Sequence, residues 1–322
     1  MKRYKIWLLL LAVAALVLAG GAYIAVEHVL PYSGICPSRY VIEHHPEEFP
    51  NGYLPSDYGM TYETVNISTQ DSVTIASYYI TAPSPRATIL VLHGIADCKE
   101  HFYPMAKRLV AMGCNVALVD LRAHGKSGGK YCTFGYYEKD DMQRLITEVG
   151  KRDSVHPIGI YGVSLGGAVA LQTLGIDPRL KFGIIESTFN EFEKVSVEYG
   201  KRFFGFRSPW LAHHINTKSG EIAKFPPKVV RPVESARKIT CPMLMIHGDA
   251  DARIPIAFGL DNFAALGSKE KEFYTVRGAG HDNLKTVAGE KFYETIGRFV
   301  EKQMNPVHTN KPYVFALSAP LR

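Results

Sequence analysis

Several absences narrow the reading of this 322-residue chain before any motif is considered. Its five cysteines, Cys36, Cys98, Cys114, Cys132 and Cys241, show no paired C-x-x-C spacing, which argues against a zinc ribbon or a thioredoxin-like site. Five is odd, so a complete set of intramolecular disulfides is excluded. Cys114 and Cys241 sit beside apolar runs and read as buried thiols, whereas Cys98 and Cys132 lie near loops, where an oxidising compartment would let them pair. No run of Lys and Arg is dense enough for a nucleic-acid patch: 37 basic residues are interspersed with 31 acidic ones, for a net charge of +6. Internal repeats and low-complexity tracts are missing too. The apolar, charged, Gly and Pro contents are those of an ordinary globular protein, long enough for one large domain or two modest ones.

What is present begins at the N-terminus. Lys2, Arg3 and Lys5 precede an uncharged stretch over residues 6–26, whose helical length of roughly 30 Å would cross a bilayer core. The basic flank predicts the N-terminus inside and the rest of the chain outside the cytoplasm. A cleaved signal peptide competes, because Ala19-Gly20-Gly21-Ala22 offers small residues for cleavage and would leave a secreted or periplasmic product. The retained anchor is preferred because the apolar stretch continues to Val26, and no cysteine follows the small residues to take a lipid. These features divide the chain into an anchor or signal segment over 1–29, a connector over 30–57, a folded domain over 58–305 and a tail over 306–322. Five prolines make the connector read as irregular.

Residues 61–68 and 73–81 alternate in polarity around a polar turn, which predicts a hairpin. Thereafter short continuous apolar runs at 88–92, 115–119, 158–161, 182–185, 243–246 and 273–276 read as strands buried on both faces. Helix-like segments at 102–112, 136–151, 164–175, 256–266 and 289–303 separate them. The alternation predicts an α/β protein with a mostly parallel sheet covered by helices on both faces, the hairpin forming an antiparallel edge. Residues 189–238 break the rhythm with an aromatic, basic stretch lacking any strand pattern, and are expected to form a cap. Its aromatics, Tyr199, Phe203, Phe204, Phe206 and Trp210, suit either a lid over an acyl pocket or local packing. Its basic residues suit either an anionic membrane surface or a solvated helical face.

The chemistry-bearing motif is Gly162-Val163-Ser164-Leu165-Gly166, bounded by an apolar strand and a small-residue helix start. A serine on so tight a turn needs glycine two residues away on each side, and the helix behind it aims its N-terminal dipole at a reacting carbonyl. A serine hydroxyl is a poor nucleophile unless a base takes its proton and a third group orients the base. Past the strand at 243–246 stand Asp249 and Asp251, and past the next strand stands His281 in a glycine-rich loop. All would lie on the sheet edge where ligands of such folds bind, in the order Ser, Asp, His.

With these motifs, His93-Gly94 and the run from Asp120 to Ser127, the chain resembles the α/β-hydrolase superfamily over about residues 62–303, particularly its membrane-anchored or exported serine hydrolases. The resemblance implies an α/β-hydrolase fold with a helical cap insertion at about 189–238. The superfamily's H-G-x-x-D-x-x-[VI]-P motif selects Asp251 over Asp249 as the acid, beside Ser164 as nucleophile and His281 as base. The same pattern puts the oxyanion-stabilising backbone N–H groups at Ile95 and Leu165, with His93, Asp120, Arg122 and His124 supporting loops. The expected activity is hydrolysis of small-molecule or lipid-like acyl esters through an acyl-serine intermediate, with neither metal nor organic cofactor. Thioesterase and peptidase activities, and a membrane-tethered binding protein without turnover, are the alternatives.

Overall fold

The computed structural model describes residues 2–304, so the tail expected over 306–322 lies outside the described residues. Helix α1 (Lys2–Ile24) passes through a π-helical turn (Ala25–Val29) into α2 (Leu30–Ile35), where Pro31 occupies an N-terminal position that needs no N–H partner. From Tyr4 to Ile24 the side chains of α1 are exposed all round, so among the described residues it has no core to join. Such an exposed N-terminal apolar helix is the form of a signal or an anchor.

The connector is more ordered than its prolines predict. It carries 3₁₀ turns at Ile42–His44 and Pro55–Tyr58. Arg39 ties it down: its guanidinium donates to the carbonyls of His124, Gly125, Ser127 and Gly129 at 2.5–3.2 Å. Tyr103 Oη adds a bond to Tyr53 O at 2.8 Å.

Among the described residues, eight strands form one sheet: β1 (Tyr62–Ser68), β2 (Thr74–Ile80), β3 (Ala87–Leu92), β4 (Cys114–Val119), β5 (Ile158–Val163), β6 (Leu180–Glu186), β7 (Met243–Gly248) and β8 (Lys271–Val276), in the spatial order β1-β2-β4-β3-β5-β6-β7-β8. β1 pairs with β2, and β2 with β4, antiparallel; all other neighbours run parallel. The predicted hairpin is thus the antiparallel edge. Because side chains alternate along a strand, the sheet builds two cores. Leu90 and Leu92 of β3 join Met142 and Leu145 of α4 (Glu138–Arg152) and Ala168 and Leu171 of α5 (Leu165–Leu174) on one face. Ile89 and Val91 meet Met105 and Leu109 of α3 (Tyr103–Ala111) on the other, with Phe292, Ile296 and Phe299 from the C-terminal helix, Glu290–Met304.

Between β6 and β7 lie α6 (Phe192–Phe204), α7 (Pro209–Ala223) and α8 (Pro232–Ala236), in the segment expected to form a cap. α9 (Ile256–Ala265) follows β7, and α10 (Leu284–Ala288) and α11 (Glu290–Met304) follow β8. All five cysteines are free. The pairing allowed for Cys98 and Cys132 does not occur, since Cys98 packs with Ile42 and Phe49 while Cys132 is buried in the core beneath α4 and α5.

Candidate active site

The parallel strands direct their carboxyl ends to one edge, and three loops there converge on Ser164. β5 ends at Val163 and α5 begins at Leu165, leaving one residue to reverse the chain. Ser164 does so with φ 53° and ψ −112°, a conformation that costs a non-glycine residue about 1–3 kcal/mol. Its neighbours hold it there: Ser164 N donates to Glu186 O at 2.8 Å, and Thr188 Oγ1 donates to Ser164 O at 2.7 Å. The flanking glycines are a steric requirement. A Cβ on Gly162 would stand 2.2 Å from Gly166 O, and one on Gly166 would stand 2.3 Å from Leu92 O.

His281, in the loop after β8, places Nε2 3.0 Å from Ser164 Oγ and Nδ1 2.6 Å from Asp251 Oδ2. Asp251 lies past β7, with Oδ1 accepting the N–H groups of Arg253 and Ile254, each at 2.8 Å. Burial pushes its carboxyl upward. The polar contacts of His247 and His281, the His281 charge and the Ile254 N–H outweigh that and hold it well below the usual carboxylate range. Asp249 faces elsewhere and accepts the Gly278 N–H at 2.6 Å, organising the loop that carries His281. A bridge from Arg253 Nη1 to Asp282 Oδ1 at 2.7 Å ties the acid-bearing and histidine-bearing loops together. A hydroxyl with a ring nitrogen in reach, whose other nitrogen faces a buried carboxylate, can lose its proton to the ring as the oxygen attacks an electrophile.

The loop after β3 closes the other side. A Cβ on Gly94 would lie 3.6 Å from Ser164 Cβ, so this loop stands against the serine. His93 supports it from beneath, its carbonyl accepting Gly166 N at 3.1 Å and its Nε2 accepting Leu121 N at 3.0 Å. Ile95 N and Leu165 N enter no hydrogen bond among the described residues, and Leu165 N, at the first turn of α5, has no intrahelical acceptor. Asp120 is the hub below, accepting Lys99 N at 2.9 Å, Lys99 Nζ at 2.5 Å and Lys126 N at 2.9 Å. Arg122 pairs with Asp141 at 2.8 Å, and His124 Nδ1 lies 2.8 Å from Arg122 O.

Sequence reasoning missed Lys99, Thr188 and Arg253. Lys99 in particular reads as a surface residue, because nothing in a Lys-Glu pair announces that a buried Asp waits 21 residues downstream.

Ser164 is 6% exposed. In α6, Tyr199 is partly buried against the core, and burial is the main force pushing its phenol up. The other aromatics of the expected lid do not turn inward: Phe203, Phe204, Phe206 and Trp210 are exposed. A cavity of about 630 Å³ lies among α7 and residues 224–228, and one of about 360 Å³ beside Asn190 and Arg231; neither includes Ser164, Asp251 or His281. Among the described residues, two side-chain groups have donors of metal-ligand type, Asp97 with Cys98 and His101, and His45 with Glu47 and Glu48. These side chains engage one another, His101 contacting Asp97 and, at 3.3 Å, Glu48.

Residues 83–216 match the family model described as Serine aminopeptidase, S33. The chain is 26% identical over 320 residues to the protein bem46 of Schizosaccharomyces pombe, covering 91% of this chain and 99% of that one. It is 24% identical to the monoacylglycerol lipase of Mycolicibacterium smegmatis, over 54% of this chain and 73% of the lipase. Among solved structures, the Pyrococcus furiosus esterase Pf2001 superposes with a TM-score of 0.68 at 25% identity, covering 84% of this chain and 99% of the esterase. The chain therefore has the α/β-hydrolase fold, and it is similar to an esterase and to a lipase.

Proposed function

We propose that the protein is a serine hydrolase that cleaves acyl esters, with Ser164 as nucleophile, His281 as general base and Asp251 as the orienting acid. The single observation that carries this reading is the position of His281, whose two ring nitrogens meet the hydroxyl and the carboxylate at 3.0 and 2.6 Å. As Ser164 Oγ attacks the acyl carbon, His281 Nε2 takes its proton while Nδ1–H stays on Asp251. The carbonyl oxygen becomes an oxyanion and is met by the N–H groups of Ile95 and Leu165. Collapse expels the alcohol, which leaves with the proton held by His281. Water, deprotonated by the same nitrogen, then releases the acid from the acyl-serine. No step requires a metal or an organic cofactor.

The esterase Pf2001 and the monoacylglycerol lipase favour a small-molecule or lipid-like ester as substrate. A peptidase reading is favoured by the description of the family model over residues 83–216. The hydrolase domain over 58–305 is read as tethered by α1, with the basic flank of Lys2, Arg3 and Lys5 inside and the domain outside the cytoplasm.

Hydrolysis of p-nitrophenyl esters of graded chain length, beside a thioester and an aminoacyl amide, tests the reaction class. Ester cleavage that disappears in Ser164→Ala is expected. Amide cleavage outpacing every ester would overturn the ester reading in favour of the peptidase.

A further inference from the structure

The helix that begins as α1 does not stop where its apolar residues stop. Its continuation, from Ala25 to Ile35, packs along cap helix α7. Glu27 Oε1 meets His214 Nε2 at 2.6 Å, Lys218 Nζ approaches Glu27 Oε2 at 3.6 Å, and Ser219 Oγ donates to Pro31 O at 2.7 Å. Contacts of residue 27 with 214 and of residue 31 with 219 advance along both helices in the same direction, so the two run side by side and parallel.

That register has a consequence at the other end. One further turn back, about 6 Å at 1.5 Å per residue, brings Trp210 of α7 level with Tyr23 of α1. The uncharged stretch of α1 ends at Val26, and Glu27 is its first carboxylate. The N-terminus of α7 and the loop before it therefore reach the height at which the apolar helix leaves the bilayer.

The side chains found at that height suit it. Phe203 and Trp210 are 72% and 73% exposed, and Phe204 and Phe206 are exposed beside them. Arg207 is bonded to Glu198 at 2.8 Å, which fixes the loop to α6, and the Trp210 ring stacks on His214 with centroids 5.8 Å apart. Large exposed aromatics cost a soluble surface, but they are favoured at the headgroup boundary of a bilayer. Lys201 and Arg202, in the last turn of α6, add positive charge suited to lipid phosphates.

We infer that this aromatic loop is a second membrane contact: the cap docks through Phe203, Phe204, Phe206 and Trp210 into the interface of the same bilayer that α1 crosses. The inference rests on α1 being a retained span.

Trp7 and Trp210 are the two tryptophans of the sequence, one in α1 and one at the start of α7, so each can be isolated as a reporter. Full-length Trp7→Phe and Trp210→Phe proteins would be reconstituted in phosphatidylcholine/phosphatidylglycerol vesicles carrying lipid brominated near the headgroup end of its chains. The expected result is that Trp210 loses most of its fluorescence to the brominated lipid and resists quenching by aqueous acrylamide, and that Phe203→Ser with Phe206→Ser reverses both. Trp7 quenched by lipid while Trp210 stays open to acrylamide would overturn the docking and leave the anchor standing. If neither tryptophan responds to the brominated lipid, the anchor reading fails and the docking falls with it.

Discussion

The carbonyl oxygen of Gly166 lies 2.2 Å from where a Cβ on Gly162 would sit, so the strand and helix flanking Ser164 touch backbone to backbone. This contact lets a serine stand clear of the sheet at φ 53°. Gly162→Ala is expected to lower stability by about 1–3 kcal/mol by overpacking, read from the urea midpoint. Gly150 in α4 has open space around its Cβ position, and Gly150→Ala is expected to raise stability by about 0.5–1 kcal/mol.

The two aspartates past β7 should separate cleanly. Asp251 holds His281 at 2.6 Å, whereas Asp249 holds the Gly278 N–H. Asp251→Asn should lower kcat on a p-nitrophenyl ester by about 10⁴-fold through loss of the correct tautomer. Asp249→Asn keeps an acceptor for Gly278 and should leave most of the activity. Equal losses from the two variants would remove the role given to Asp251.

The buried His124 predicts part of the acid sensitivity. Burial is the main force that lowers it from 6.5 to about 3. Its Nδ1 faces Arg122 O at 2.8 Å and its Nε2 has no hydrogen-bond partner among the described residues, so the folded protein holds the neutral ring. Between pH 6.5 and about 3 the unfolded chain takes a proton here that the folded chain refuses, so stability falls as pH falls. The slope from this one group is at most about 1.4 kcal/mol per pH unit. Urea unfolding across that window should be flatter in His124→Gln than in the wild type.

Arg39 should matter well beyond its place in a connector. It donates to four carbonyls of the loop that runs from His124 to Gly129. Hydrogen bonds to a charged group are worth about 1.5–3 kcal/mol. Arg39→Ala is expected to lose stability of that order and to open residues 36–57 to limited proteolysis, with cleavage sites mapped by mass spectrometry.

The sequence makes legible whatever is local. Gly162, Ser164 and Gly166 are close in the chain, and their steric need shows in residue type alone. Strands β3 to β7 show as apolar runs because both faces of the sheet are covered there, whereas β8, read the same way, is an edge strand and only partly buried; the observed ends differ from the expected ones by no more than two residues. Distant partners and side-chain directions were hidden. Lys99 looks like a surface residue until Asp120 is placed beneath it, and Arg39 lies among prolines that suggest an irregular chain. The aromatic run after Tyr199 suits a lid or local packing on sequence grounds, and only the structure leaves Phe203 and Trp210 exposed. The choice of Asp251 came from a motif; the geometry supplies a physical counterpart, with Asp249 engaged elsewhere.

The proposal that Ser164 is an activated nucleophile is put to reaction of the full-length protein with a fluorophosphonate, the adduct being located by peptide mass spectrometry. One adduct is expected, on the peptide containing Ser164, absent in Ser164→Ala and formed far more slowly in His281→Ala. A folded wild-type protein that forms no adduct, or forms it on another serine, would contradict it.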